Sequence, residues 1–404
     1  EPARVSRVTG GDVFQSSGEG PLTKSRHRVR MAALAGSAIA LSVFGISISS
    51  SAASVRTAAS ATTTPASVIA AAKANVLKWS ATPGIGITAP LAKAAPKGKT
   101  LEYLQCSVPV CAQIGDGMQA AAKALGWKFK REIFDIAQPE ALVSLANNAA
   151  ADPPSYLALT TFPTSLFKSA VAKLKSEHVP IIVGSDSLDK PVGAATDIYG
   201  NIASDPSEAN AGARKAAWVI ADSNGTGQMV HFASSDIATT NSETAALQKG
   251  LAKCTGCHLD VVDIPSTQIA AGKVPSIVVS YLQAHPTTQY ISFSYGDMTD
   301  GLDQALTAAG LLTKVKYVGV TPTLQNLQAL QAGTEKGAWL GWPAEVQGWQ
   351  FADVAARIAS GTTVVPDPLL PVQWLTASSI KTPVTLYEPA GYQAKFEKLW
   401  HVSK

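Results

Sequence analysis

The 404 residues carry 33 Lys and Arg against 29 Asp and Glu, a net charge of +4, with 46% hydrophobic residues and four cysteines. Setting aside a leader of roughly fifty residues, about 350 remain, more than one hydrophobic core usually supports, which suits two lobes. The leader holds six Lys and Arg against three Asp and Glu, so most of the net positive charge lies there, and the rest holds no Lys/Arg cluster of the kind that neutralises phosphates, so no nucleic-acid partner is expected.

The leader comes first in the chain. Lys24, Arg26, His27, Arg28 and Arg30 form a cationic region, Met31 to Ile48 an apolar and small-residue stretch, and Ser51-Ala52-Ala53 a small-residue cleavage site. This reads as an export signal cut near Ala53, with retention as an uncleaved anchor the alternative. An extracellular or cell-envelope location follows. No second apolar run of spanning length comes later, so membrane contact is expected only through the leader or a membrane partner. Ser54 to Lys97, rich in Ala, Thr, Pro and Ser, reads as a low-complexity spacer with a short helix at Ala66 to Val76. Within it Gly84-Ile-Gly86-Ile-Thr-Ala89 imitates a dinucleotide fingerprint, but neither a strand nor a helix flanks it.

From Lys99 onward strands and helices alternate. Thr100 to Cys106 is a predicted strand, Val110 to Leu125 a helix, Lys128 to Phe134 a strand, Pro139 to Ala149 a helix, and Tyr156 to Thr160 a strand. Ser165 to Glu177 has Leu166, Ala170, Val171 and Leu174 at helical spacing, and Val179 to Val183 is an apolar strand. A connector, Ser185 to Asn201, breaks the pattern, which then restarts. Helices are predicted at Ser207 to Asp222, Ser242 to Ala252, Val274 to His285, Gly301 to Ala309 and Thr323 to Gln331. Strands are predicted at Gly227 to Ala233, Leu259 to Ile264, Tyr290 to Ser294, Lys316 to Val320 and Ala338 to Trp342. Such alternation over short joints means parallel sheets covered on both faces. The fold class is therefore α/β: two doubly wound parallel-sheet lobes joined by a multi-crossing hinge, with a ligand cleft between them where the loops beyond the strand carboxyl ends point.

The cysteines fall in two short-range pairs, Cys106 with Cys111 and Cys254 with Cys257. That suits disulfides in an oxidising compartment, with three connectivities open. Cys254-Thr-Gly-Cys257-His258 also matches a haem-attachment pattern. Its place between a predicted helix and strand favours a surface disulfide, and no cofactor or metal is expected.

Three stretches carry a family likeness: Val179-Pro-Ile-Ile-Val183 leading into Gly184-Ser185-Asp186; Ile202-Ala-Ser-Asp205 before a helix containing Ala211-Gly212-Ala213; and Tyr317-Val-Gly-Val320 before a helix ending at Gly333. On these, residues 99 to 376 resemble a type I periplasmic binding protein of the ribose-binding, sugar ABC transporter group. The closing Gly391-Tyr392 to Lys398-Leu399-Trp400 is similar to tails of exported members. The resemblance implies three crossings between lobes, near Tyr199 to Asp205, Pro343 to Gln347 and Gly361 to Asp367. It also implies that the helix Trp349 to Ser360 joins the first lobe. The lobes are then about 99–200 plus 345–361 and 201–344 plus 364–376, with 377–404 a tail. Function follows as hinge closure on a small-molecule solute by a monomer, and recognition of the closed form by an ABC transporter permease.

The polar ligand positions of the sugar-binding group are thinned here. Ser185-Asp186 stands where relatives carry Asp-Arg, Gly296-Asp297 where they carry Asn-Asp, and Gly319-Val320-Thr321 where they carry Gly-Phe-Asp. A less polar or larger solute than a monosaccharide is therefore open. The expected ligand-binding set is Ser107, Phe162 and Asp186 from the first lobe, Asn241, Asp297 and Thr321 from the second, and Trp342 from the crossing. Trp339 alternates with Leu340 along a strand and reads as core. No H-E-x-x-H, G-x-S-x-G or G-x-x-x-x-G-K-[ST] pattern is present, so catalysis is not expected. A ligand-sensing co-receptor remains the alternative to transport.

Overall fold

The computed structural model describes residues 63–402, apart from 137, 161, 187–191, 194 and 195. The leader and its cleavage site at Ala53 lie outside the described residues. Among those described, no helix is long and apolar enough to cross a membrane.

The first described element is α1 (Ala66–Ser80). The first lobe then runs β1 (Thr100–Cys106), α2 (Pro109–Leu125), β2 (Lys128–Phe134), α3 (Pro139–Ala151), β3 (Tyr156–Thr160), α4 (Lys168–Ser176), β4 (Ile181–Gly184) and β5 (Ile198–Ile202). The second runs α5 (Asp205–Asp222), β6 (Gln228–Ala233), α6 (Ala238–Leu251), β7 (His258–Asp263), α7 (Ser266–Ala270) and α8 (Val274–Ala284). It continues with β8 (Tyr290–Phe293), α9 (Leu302–Ala308), β9 (Lys316–Val320), α10 (Leu324–Ala332) and β10 (Gly337–Gly341). The chain then returns to the first lobe as α11 (Ala344–Ser360), to the second as β11 (Gln373–Leu375), and to the first again as α12 (Tyr392–Leu399). The sheets have strand orders β2-β1-β3-β4-β5 and β11-β10-β9-β8-β6-β7. All pairings are parallel except β10 with β11.

Each sheet is covered on both faces, as its near-continuous apolar strands require. Along β1, Leu101 and Tyr103 enter a core with α2 and α11, while Leu104 and Cys106 enter a second core with α3 and α4. In the second lobe Met229 and Leu340 face α5 and α6, and Phe232, Phe293 and Trp339 face α8, α9 and α10. Proline stands in the first turn of α2, α5 and α8, where its missing N–H costs nothing.

The chain crosses between the lobes at residues 203–204, 342–343 and 361–372. The strand β5 lies inside the expected connector: Gly200 and Asn201 are poor strand formers, and its pairing with β4 slips in register at Ile181/Ile182. Helix α11 begins at Ala344, directly after Pro343, rather than at Trp349.

The segments outside the lobes pack against them. Helix α1 lies against α5 and β11, and Ile85, Ile87, Leu91 and Ala95 are buried in the first lobe's core, so the described part of Ser54 to Lys97 is not a loose spacer. The tail is likewise structured: Tyr392, Phe396 and Trp400 pack on Trp349 of α11. Both local cysteine pairs are bonded, Cys106–Cys111 and Cys254–Cys257.

Under β10, Glu335 is 2% exposed and accepts hydrogen bonds from Asn326 Nδ2 (3.0 Å) and Trp339 Nε1 (2.8 Å). Burial outweighs these bonds and pushes its carboxyl up to about 7. A carboxyl whose folded value lies above its unfolded one contributes stability at low pH that is lost as pH rises through the folded value. Urea unfolding should therefore show lower stability at pH 8.5 than at pH 5. In Glu335→Gln the drop between the two pH values should shrink; an undiminished drop would assign it to other groups.

Candidate ligand-binding cleft

In parallel sheets every strand ends on one edge, and the hinge brings two such edges together. Residues 203–204 link the end of β5 to the start of α5, and residues 342–343 link the end of β10 to the start of α11. Connections of two residues hold the carboxyl edges of both sheets at the hinge, so the loops beyond them border one cleft. A cavity of about 330 Å3 lined by Tyr290, Lys314, Lys316 and Lys336 opens instead at the amino ends of β8 and β9, on the far edge.

On the first lobe, the Cys106–Cys111 bridge closes the turn between β1 and α2 that carries Ser107. Ser107 is exposed, and its Oγ accepts from the Ile136 N–H (3.2 Å), joining the ends of β1 and β2. Beside it Thr160, the last residue of β3, exchanges a hydrogen bond with the Tyr103 hydroxyl (3.0 Å). Phe162 is half-buried, its ring 5.8 Å from Phe134. Asp186 is 4% exposed after β4, and its carbonyl accepts from Asn201 Nδ2 (2.7 Å).

On the second lobe, Asn241 is exposed on α6, its Nδ2 donating to the Ser235 carbonyl (3.0 Å). Asp297 lies in a short 3-10 turn after β8, and Thr321 follows β9 with φ 52°. The structure brings these two loops together through Gly296 N–H donating to the Thr321 carbonyl (3.0 Å). Burial first, and the charge of Asp300 second, hold the Asp297 carboxyl above the usual range. Tyr295 is pushed up to about 12 by burial and by the charges of Asp297 and Asp236, so these groups share the loop's electrostatic environment. Trp342 is 8% exposed in the second crossing, and its Nε1–H donates to Gln347 Oε1 (3.2 Å). Its ring is buried in the second lobe's core with Ala211, Leu370 and Trp374, and Trp339 lies in the core on the other face of the sheet.

Sequence reasoning missed the groups beneath these loops. Lys215 on α5 and Glu243 on α6 form an ion pair of 2.6 Å with no exposed side-chain surface. Lys215 Nζ also donates to the Phe293 carbonyl (3.0 Å), and Ser294 lies beside Glu243, so the pair holds the end of β8 from which the Asp297 loop departs. His231, also fully buried, bonds Ser292 Oγ (3.2 Å); burial first and Lys215 second keep its pKa well below the ordinary value. The available signal was a lysine on the apolar stripe Ala211, Ala216, Val219 of α5. Asn201 and Gln347 were missed too: each is buried with one side-chain polar atom, Oδ1 and Nε2, unpartnered among the described residues.

Lys215→Met should cost about 3 to 5 kcal/mol, because it leaves Glu243 charged and buried without a partner. The double variant Lys215→Met with Glu243→Leu should recover most of that in urea unfolding. Equal losses in both would show that packing around the helices, not charge pairing, is what matters there.

The periplasmic binding protein domain family matches residues 106–363. No curated protein matches the chain. Among solved structures it is similar to a glucose-galactose binding protein, GanP, of Geobacillus stearothermophilus, with 14% identity and TM-score 0.61 over 72% of this chain and 100% of that one. It is also similar to a periplasmic ribose ABC transporter protein of Conexibacter woesei, with 21% identity and TM-score 0.59 over 71% and 94%. A third is an ABC transporter solute binding protein of Burkholderia graminis in complex with D-arabinose, with 17% identity and TM-score 0.61 over 72% and 100%. At these identities the likeness is one of fold, and with the family match spanning well over half of its length, the chain belongs to the periplasmic binding protein domain family.

Proposed function

We propose that this protein is an exported solute-binding protein that captures a small polar molecule, a sugar or related compound, by closing its lobes and delivers it to an ABC transporter permease. The observation that carries this reading is the meeting of two strand-end edges at a hinge of three crossings. A solute touching both edges binds the closed form better than the open one, and only such differential affinity shifts the equilibrium. The solved relatives named for glucose-galactose, ribose and D-arabinose support a carbohydrate-like solute. Charge narrows it further. Among the described residues of the loops after the parallel strands β1 to β10 stand Asp135, Asp186, Asp197, Asp236, Asp297 and Asp300, with no Lys or Arg. A low-dielectric cleft bordered by carboxylates repels anions, which favours neutral sugars and polyols over sugar acids or phosphates.

The test is a thermal-shift screen of protein lacking residues 1–53 against neutral sugars, polyols, nucleosides, aromatic acids and sugar phosphates. A neutral solute at a hundred times its dissociation constant should stabilise the protein by about 2.7 kcal/mol, and the phosphates should not. Calorimetry on Asp186→Ala, Asp297→Ala and Trp342→Ala should then show losses of about 1 to 3 kcal/mol in affinity where a solute group is left unpaired. Unchanged affinity in all three would remove the solute from this cleft, and stabilisation by anions alone would overturn the charge reading.

A further inference from the structure

Residues before 106 and after 363 lie outside the family match, yet both outer segments cross the hinge. The amino-terminal one leaves α1 on the second lobe, where Ser80 accepts from Gln373 Nε2 (2.8 Å). It reaches the first lobe by Ile85, whose carbonyl accepts from Gln350 Nε2 (3.2 Å). The carboxy-terminal one leaves β11 on the second lobe and ends as α12 on the first. The lobes are thus joined five times, by the three crossings of the hinge and by these two straps.

The carboxy-terminal strap grips the second crossing from both sides with consecutive residues. The ring of Tyr387 lies on Gly341, the last residue of β10, so closely that a Cβ there would fall 2.6 Å from Tyr387 Cγ; only glycine leaves that space. The Tyr387 hydroxyl donates to the Pro371 carbonyl of the third crossing (2.9 Å). The next residue, Glu388, accepts from the N–H groups of Glu345 (2.7 Å) and Val346 (3.1 Å) in the first turn of α11. These N–H groups have no partner within the helix, so the Glu388 carboxyl oxygens cap α11 at the point where the chain enters the first lobe. Between the two anchors lie only Trp342 and Pro343, with Ala344 opening the helix. Any rotation of the lobes must change backbone angles in that short crossing, and Tyr387 and Glu388 bridge the same gap in parallel with it.

We propose that Tyr387 and Glu388 act as a splint across the second crossing, so that the tail outside the family core limits how far the lobes swing. They are positioning residues: they hold the hinge and make no contact with solute. The proposal rests on the hinge-closure reading, and its test is separable from that reading. Spin labels on click-reactive residues placed at the exposed positions Glu177 and Lys249 leave both disulfides intact and report the inter-lobe distance by electron–electron double resonance. Without solute, the wild type should give one narrow distribution. Tyr387→Ala with Glu388→Ala should broaden it by at least about twofold, as expected when a local restraint is removed. Tyr387→Phe, which keeps the ring on Gly341, should retain the wild-type width. Should the double variant fail to fold, Tyr387→Ala alone should broaden the distribution by a smaller amount. A wild-type width in the alanine variants, with only the melting temperature lowered, overturns the splint and makes the tail a plain stabiliser. A solute from the screen that stabilises the wild type without moving its mean distance counts against hinge closure instead, and leaves the width comparison standing.

Discussion

The burial of α11 is the constraint on which the rest of the molecule depends. Seventeen residues that arrive late in the chain are enclosed by the first lobe, with Trp349, Phe351, Val354 and Arg357 all 2% exposed or less. Close approach to α2 is possible because Gly348 faces the Ile114 carbonyl, where a Cβ would fall 2.2 Å away. Two of the three crossings leave from the ends of this helix, so its position sets the geometry of the hinge.

Enclosing the helix buries charge, and the structure compensates locally. Asp353 and Arg357 pair at 2.6 Å one turn apart, Trp400 Nε1 donates to the second Asp353 oxygen (2.8 Å), and Arg357 also donates to the Ala89 carbonyl (2.6 Å). A buried pair gains little net stability over apolar packing, but a broken one is costly. The amino-terminal segment and the tail are therefore tied to one electrostatic unit on α11, and His401 Nε2 adds a contact to the Leu91 carbonyl (2.8 Å). This explains why sequence outside the matched core is ordered against it. Each strap satisfies groups that the core alone leaves buried.

The second lobe repeats the principle nearer the cleft. Lys215 and Glu243 neutralise each other out of contact with water, and the lysine's bond to the Phe293 carbonyl fixes the strand end before Asp297. Asp297 and Thr321 thus stand on loops, while charged groups one layer deeper hold the strand end from which the Asp297 loop departs. Rigid support of this kind keeps a site organised before binding, which lowers the ordering cost of association.

Periodicity alone determined much of this protein. Apolar runs of four to seven residues alternating with helical spacing imposed parallel sheets in two lobes, and with them the rule that ligand loops follow strand ends. Ser107, Phe162, Asp186, Asp297 and Thr321 stand just beyond strand ends, which are local features, whereas Asn241 lies within α6. The local cysteine pairs were legible for the same reason. What sequence did not determine is whatever depends on contacts distant along the chain. The strand β5, interrupted by Gly200 and Asn201, is held by pairing with β4 and by the Pro366 carbonyl that accepts the Asn201 N–H (2.8 Å). The antiparallel strand β11 is three residues at the sheet edge, held by its pairing with β10. Polar residues such as Lys215, Glu243, Asp353 and Arg357 look like surface residues until their partners are known. The low-complexity segment reads as a spacer because composition records only what a segment can bury, whereas the tertiary structure supplies the surface, here the first lobe's core around α11, against which it is buried.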